Sequence, residues 1–283
     1  MSTCPVSVII PTYNRAALLP RAIHSVCKQS LSCAEIIVID DGSTDNTRDV
    51  LKAIKVQSKT PIVTIHTDNN GVSAARNLGI KNARFDIITF LDSDDHWNRK
   101  KIEKQYQRFN CQDQYPICHT REKWLRQGKH LNQKLKHLPR HGDIFSQCLE
   151  LCTVGMSTVM LQKSLFDEVG LFDESMNCCE DYDLWVRLSC RYEFLLIDTP
   201  LIVKEGGRED QLSHIYRLGM DEKRIYSIKK LLDSGCLRPP QYELAMKEFE
   251  RKIRIFSNGC FKHGRDETGN EYLQLYRSYT HEK

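Results

Sequence analysis

The sequence has no apolar stretch approaching the roughly 18 residues that a membrane-spanning helix needs. Runs such as Val6 to Ile10 are short and end at residues such as Pro11. The N-terminus also lacks a basic segment followed by about 7–15 apolar residues, so a secretory leader is not expected. None of the 12 cysteines forms a Cys-x-x-Cys pair, which removes the common zinc-site spacing. Without a leader the thiols are expected to stay reduced, in a cytoplasmic protein. Cys148 and Cys152, four apart, would share one face of a helix. The charge is nearly balanced, with 41 basic and 37 acidic residues giving +4. That is too little to attract nucleic acid by itself. Basic residues do gather locally, in Asn98-Arg99-Lys100-Lys101 and from Lys123 to His141. Such stretches suit a solvated loop, an anionic acceptor, or peripheral contact with a membrane face.

What is present reads as α/β. Val6-Ser7-Val8-Ile9-Ile10, Glu35 to Asp40, Pro61 to His66 and Asp86 to Leu91 are β-branched apolar strands. Between them Ala16 to Lys28, Thr44 to Ala53 and Val72 to Asn82 carry helical stripes. Strands alternating with helices over short links predict a mostly parallel sheet flanked by helices. Beyond residue 100 the pattern blurs. Strands are expected at Ile117 to Trp124, Gly155 to Leu161 and Phe194 to Thr199, with Pro200 to Glu205 as a loop. Helices are expected at Lys101 to Phe109, Ser164 to Val169 and Asp181 to Leu188. From about residue 216 the chain turns helical, with a break at Gly235 to Pro240.

Polar residues collect just past the C-terminal ends of the first strands. Tyr13-Asn14, Asp40-Asp41 and Asp92-Ser93-Asp94-Asp95 all lie there. Open parallel sheets bind ligands outside that edge. Three carboxylates within Asp92 to Asp95 repel one another, and a hard divalent cation relieves the repulsion. Acidic residues also complement a helix N-terminus, and Asp95 suits a helix cap. Asp40-Asp41 can accept hydrogen bonds from ribose or base, or can simply cap a turn. The slot after the first strand is Pro11-Thr12-Tyr13-Asn14, not Gly-x-Gly-x-x-Gly, and no phosphate-binding Gly-x-x-x-x-Gly-Lys-Ser/Thr occurs. A dinucleotide oxidoreductase or a phosphate-loop ATPase is therefore disfavoured. Glu180-Asp181 opens an amphipathic helix, where backbone N–H groups keep a carboxylate ionised and suited to general-base work.

Together these segments resemble the family 2 glycosyltransferases, inverting enzymes with the GT-A nucleotide-sugar fold. The matching stretches are Val6 to Asn14, Ile37 to Asp45, Gly71 to Gly79, Phe90 to Asp95 and Glu180 to Trp185. The resemblance implies that Pro11, Tyr13, Asp40 and Asp41 line the pocket for base and ribose, and that Gly71 and Arg76 lie by the nucleotide and diphosphate. It implies that Asp92, Ser93 and Asp94 form the diphosphate motif, with Asp94 and Asp92 on Mn²⁺ or Mg²⁺. Asp181 would be the catalytic base, with Glu180 beside it. Many relatives carry a His shortly before a Ser, downstream of the base. Here Ser213 fits, but Arg208 stands where the His would be, and His214 is adjacent. Arginine cannot ligate a metal, though it can clamp a diphosphate.

The expected organisation is a catalytic domain over 1–215, with a nucleotide half to about 97 and an acceptor half beyond, then a helical extension over 216–283. Lys223, Arg224, Lys229 and Lys230 on the first helix of that extension suit an anionic partner or equally a solvated face. The expected substrates are a UDP-sugar and a glycan or lipid-linked saccharide. A sugar nucleotidyltransferase and a non-catalytic nucleotide-sugar-binding protein are the rival readings.

Overall fold

The computed structural model describes residues 2–111, 114–217 and 219–280. The chain opens with β1 (Thr3–Thr12), α1 (Leu19–Cys27), β2 (Ser32–Asp41), α2 (Thr47–Gln57), β3 (Ile62–Thr67), α3 (Val72–Asn82) and β4 (Ile87–Phe90). These four strands lie parallel in the order β3-β2-β1-β4. Alternate residues of β1 and β2 enter different cores, because a strand's side chains point to opposite faces. Ile9, Ile37 and Ile39 join Ala75 and Ile80 of α3 on one face. Val8, Ile10, Ile36 and Val38 join Leu19, Ile23 and Leu51 of α1 and α2 on the other. This double burial is why the strands read as continuous apolar runs. Gly79 lets α3 sit hard against the sheet, since a Cβ there would lie 2.4 Å from Ile9 Cγ2.

The second part comprises β5 (His96–Trp97), α4 (Lys101–Asn110), β6 (Ile117–Arg126), β7 (Lys129–Leu131), α5 (Phe145–Glu150), β8 (Met160–Gln162), α6 (Leu165–Val169), α7 (Glu180–Ser189), β9 (Leu195–Gly206) and α8 (Leu212–Ile215). It extends the sheet past β4 as β8-β6-β9-β5, with β7 on the far end of β6. Here the sheet is mixed. β6 and β9 are parallel, while β8 runs antiparallel to both β4 and β6. The stretch expected as one strand, Gly155 to Leu161, is a 3₁₀ turn at Met156–Thr158 followed by the short β8. Conversely, Phe194 to Glu205 is not a strand and a loop. Pro200 sits inside the long β9, opposite a register shift at Arg121 that absorbs its missing N–H.

Three helices close the chain: α9 (Met220–Asp233), α10 (Pro239–Lys262) and α11 (Asp266–Thr280). Pro239 and Pro240, expected to mark a break, occupy the first turn of α10, where no N–H is required. Ile225, Ile228, Leu231, Ala245, Phe249 and Ile253 enter the same buried cluster as Trp185 and Phe194. Three of the four basic residues named on α9 pair with acids of the chain. Arg224 pairs with Asp221 at 3.3 Å and Lys229 with Asp233 at 2.7 Å. Lys230 bridges Asp173 at 2.9 Å and Asp183 at 2.7 Å, tying α9 to α7. Among the described residues no helix is long and apolar enough to cross a membrane.

Candidate active site

The C-terminal edge of the parallel strands is stitched together by short polar loops. Pro11 is buried near the end of β1, and Tyr13 is 42% exposed beyond it. Asn14 adopts a left-handed backbone, φ 49°. Its amide donates to Ser43 Oγ at 2.9 Å, and its Oδ1 accepts from the Thr44 N–H at 2.7 Å. The loops after β1 and β2 are thereby fixed to each other. Asp40 is fully buried. Its Oδ1 accepts from the Ser43 N–H at 3.0 Å, and its Oδ2 meets Arg48 Nε at 3.2 Å and His66 Nδ1 at 2.8 Å. Burial alone would raise its pKa, but the bonds from Ser43, His66 and Arg48 outweigh it and hold the carboxyl below the usual range. Asp41 turns both oxygens to the next loop, accepting from the Asn70 and Gly71 N–H groups at 2.9 Å each. For Asp41 burial wins, and its pKa is raised. Gly71, at φ 90°, permits the turn that aims the N-terminus of α3 at this edge. A helix N-terminus there favours an anion.

The acidic cluster follows β4 and is divided by burial. Asp95 is only 3% exposed and caps no helix, because β5 intervenes and α4 starts at Lys101. Its Oδ2 instead accepts from Ser157 Oγ at 2.7 Å, and the same hydroxyl receives the Asp92 N–H at 3.1 Å. Burial pushes the Asp95 carboxyl well above its ordinary pKa. Ser93 is also buried. Asp92 and Asp94 keep 27% and 20% of their side chains exposed. Asp94 Oδ2 is paired with Arg208 Nη2, and the Asp94 carbonyl accepts from Arg21 Nη2 at 2.7 Å. Arg208 therefore reaches one of the two expected metal ligands, while His214 is exposed on α8. The side chain of Ser213 lies outside the described residues.

Arg76 joins the two ends of the site. It projects from α3 at 3% exposure and donates from Nη2 to Asp92 Oδ1 at 2.8 Å and from Nη1 to Glu180 Oε1 at 2.5 Å. Burial opposes its charge, but Asp92 and Glu180 more than compensate and hold the guanidinium protonated. Glu180 and Asp181 consequently differ. Glu180 is buried on Arg76, and desolvation raises its pKa. Asp181 stays partly exposed at the start of α7, just after the left-handed Cys179. Its Oδ1 accepts from the Tyr182 N–H at 2.7 Å, and its Oδ2 from the Cys152 thiol at 3.2 Å. Cys152 lies past the end of α5, so it shares no helical face with Cys148.

Residues 7–170 match the family described as Glycosyl transferase family 2. The chain belongs to that family. An uncharacterized glycosyltransferase of Rickettsia felis is 39% identical over 202 residues, covering 69% of this chain and 32% of the relative. The chain thus spans about a third of that relative's length. The putative teichuronic acid biosynthesis glycosyltransferase TuaG of Bacillus subtilis is 30% identical over 224 residues, 75% of this chain and 87% of that protein. In structure the chain is similar to S. aureus TarS 1-349 in complex with UDP-GlcNAc, with a TM-score of 0.70 and 17% identity, over 92% of this chain and 73% of that one. It is also similar to the mannosyltransferase PcManGT of Pyrobaculum calidifontis in complex with GDP-Man and Mn²⁺, with a TM-score of 0.64 and 15% identity, over 98% and 83%. These likenesses show that the fold is GT-A, with a helical C-terminal region added.

Four side chains of this family 2 site escaped the sequence reading. Lys204, on β9, is held charged above all by Glu122, then against burial by Asp95, Asp92 and Asp181. Its only sequence signal is a lysine ending the apolar run Leu201-Ile202-Val203. Glu122 packs over Gly155, where a Cβ would lie 1.8 Å from its Oε1. Ser157 and Cys152 come from irregular segments that carry no pattern. As for a metal, no group of three or more His, Cys, Asp or Glu is arranged to cage one among the described residues. Asp92 and Asp94 nevertheless offer hard, partly exposed oxygens. They fit Mn²⁺ or Mg²⁺ if diphosphate oxygens and water complete the shell.

Proposed function

We propose that the chain transfers a sugar from a UDP-sugar to an acceptor hydroxyl by single displacement, inverting the anomeric centre. A glycan or lipid-linked saccharide of the cell surface is the acceptor class, and the sugar is a hexose or N-acetylhexosamine. The observation that carries this reading is the Arg76 bridge. One guanidinium spans Asp92 of the diphosphate motif and Glu180, next to Asp181, so donor motif and base face one space. The UDP-GlcNAc bound to TarS and the GDP-Man and Mn²⁺ bound to PcManGT support a nucleotide-sugar donor.

In this mechanism the loops at Pro11 to Asn14 and Asp40 to Ser43 take the nucleoside, with the exposed Tyr13 ring as its platform. The N-terminus of α3 lies by the diphosphate. A divalent cation on Asp94 and Asp92, completed by diphosphate oxygens, would neutralise charge on the leaving nucleoside diphosphate. Arg208 already balances Asp94 and can transfer its bidentate fork to the phosphates. Asp181 takes the proton from the acceptor hydroxyl as it attacks the anomeric carbon. Tyr182 and Cys152 hold the two carboxylate oxygens, and Lys204 places a positive charge among Glu122, Asp95, Asp92 and Asp181.

The test is UDP release from a panel of UDP-sugars with Mn²⁺, with and without acceptor saccharides. Asp181→Asn should cut turnover by about 10²–10⁴-fold while leaving calorimetric UDP affinity unchanged. Near-normal turnover in that variant removes Asp181 from the role. A wild-type protein that neither binds nor consumes any nucleotide sugar overturns the reading as a whole.

A further inference from the structure

The stretch 123–141 contains six lysines and arginines and no aspartate or glutamate. Its structure is a firm protrusion. β6 and β7 pair Trp124 with Leu131 and Arg126 with Lys129 across a two-residue turn at Gln127-Gly128, both at positive φ. A 3₁₀ turn at Leu135–His137 folds back so that the Trp124 and His137 rings lie 5.6 Å apart. Gln147 Nε2 anchors the Leu138 carbonyl at 2.8 Å. Lys123, Arg126, Lys129, Lys134, Lys136 and Arg140 are all exposed, and among the described residues none of them makes an ion pair. Leu135, between two lysines, is 85% exposed and Leu131 is 44% exposed. Burial, then Lys136 and Lys134, hold the His137 imidazole below its ordinary pKa.

The protrusion stands beside the site. Arg126 is opposite Gly206 across β6 and β9. Two residues on, Arg208 reaches Asp94. Gln211 Oε1 accepts the Gly207 N–H at 2.9 Å and starts α8, which adds the exposed Leu212 and Ile215 to the same rim. Of the acids nearest this rim, Glu205 and Asp210 are paired with Arg21, Arg15 and Arg208, and Glu209 is exposed without an ion pair among the described residues.

We propose that the hairpin and turn over 123–141, with α8 at its flank, form a docking surface for an anionic phospholipid bilayer. Unpaired lysines meet the headgroups, while Leu131 and Leu135 enter the acyl boundary and the lysine stems lie along it. A single-stranded nucleic acid would instead require open aromatic faces for stacking, and the ring here, Trp124, is half-buried against His137. The docking is independent of the transfer reaction. Its consequence, that the site faces an acceptor carried by lipid, rests on the function proposed above.

Co-sedimentation of the whole chain with phosphatidylcholine vesicles, with and without phosphatidylglycerol, tests this. Binding is expected only with phosphatidylglycerol and should weaken as salt rises. Leu135→Asp and the pair Lys134→Glu, Lys136→Glu should each lower the partition coefficient at least about tenfold, with melting temperature and UDP affinity in solution unchanged. Failure to bind phosphatidylglycerol vesicles overturns the proposal. So does binding indifferent to both variants, or retention on single-stranded RNA without retention on vesicles. UDP affinity, read on the same samples, reports separately on the transfer reading.

Discussion

The carboxylates that end β2 and those beyond β4 and at the start of α7 are neutralised in different ways. Asp41 is satisfied by two backbone N–H groups, and Asp40 by Ser43, Arg48 and His66. Ser43, Asn70 and Gly71 belong to the loops that the carboxylates shape, while Arg48 stands on α2 and His66 on β3. Asp92, Asp94 and Glu180 are instead met by guanidinium groups brought from elsewhere in the chain, and Lys204 supplies the wider field. Backbone partners cannot leave without unmaking a loop. A side-chain cation can exchange one anion for another at little cost. The edge proposed to take the nucleotide is accordingly prebuilt, whereas the edge proposed to react is held by side-chain charges, which a diphosphate is expected to redistribute.

The strongest way to break this contrast is Arg76→Met. It strands Glu180 in the interior and should cost about 3–5 kcal/mol of stability in urea unfolding. A loss below about 1 kcal/mol would mean that the bridge is dispensable and that the two edges do not differ as described. Next is Arg208→Ala. Freed of its partner, Asp94 should bind Mn²⁺ without nucleotide about tenfold more tightly, read by titration of the free ion's paramagnetic signal, while UDP affinity in saturating Mn²⁺ falls. Unchanged Mn²⁺ affinity would take either Asp94 or Arg208 out of the exchange. The smallest effect is expected from Asp40→Asn. The folded-state pKa of Asp40 is lowered, so its contribution is complete above the ordinary carboxylate value near about pH 4 and is lost as pH falls through the lower folded value. The variant should melt below wild type at neutral pH, and the gap should close on acidification. A gap that stays constant with pH would assign Asp40 a purely steric role.

How much of this could be read from the residues follows from where the partners lie. β1, β2 and β4 are legible because strands buried on both faces are largely apolar, β3 because its residues are mostly β-branched, and the loops that follow because they turn to Asp and Asn. The edge was found, but not the burial that divides it. Nothing local distinguishes Asp95, which bonds Ser157, from Asp94, which bonds Arg208. Glu180 and Asp181 are neighbours in sequence, yet one is sealed onto Arg76 and the other is open. Beyond residue 100, β5 and β7 are too short for a period, Pro200 disguised β9, and Pro239-Pro240 resembled a break because a proline pair is equally a stop and a start. Glu122 and Lys204 come together through the pairing of β6 with β9, and Cys152 and Ser157 arrive from irregular segments, so no local pattern encodes the four.

The Arg76 to Glu180 bond also sets an order in time. Its partners are 104 residues apart, so during synthesis, at about 5–20 residues per second, the second trails the first by roughly ten seconds. In that interval β1 to β4 and α3 have emerged, but Glu180 and Asp181, the base proposed above, have not yet been translated. A chain cut short anywhere in this span carries Arg76, Asp40 and Asp41 without the α7 acids on which the proposed transfer depends.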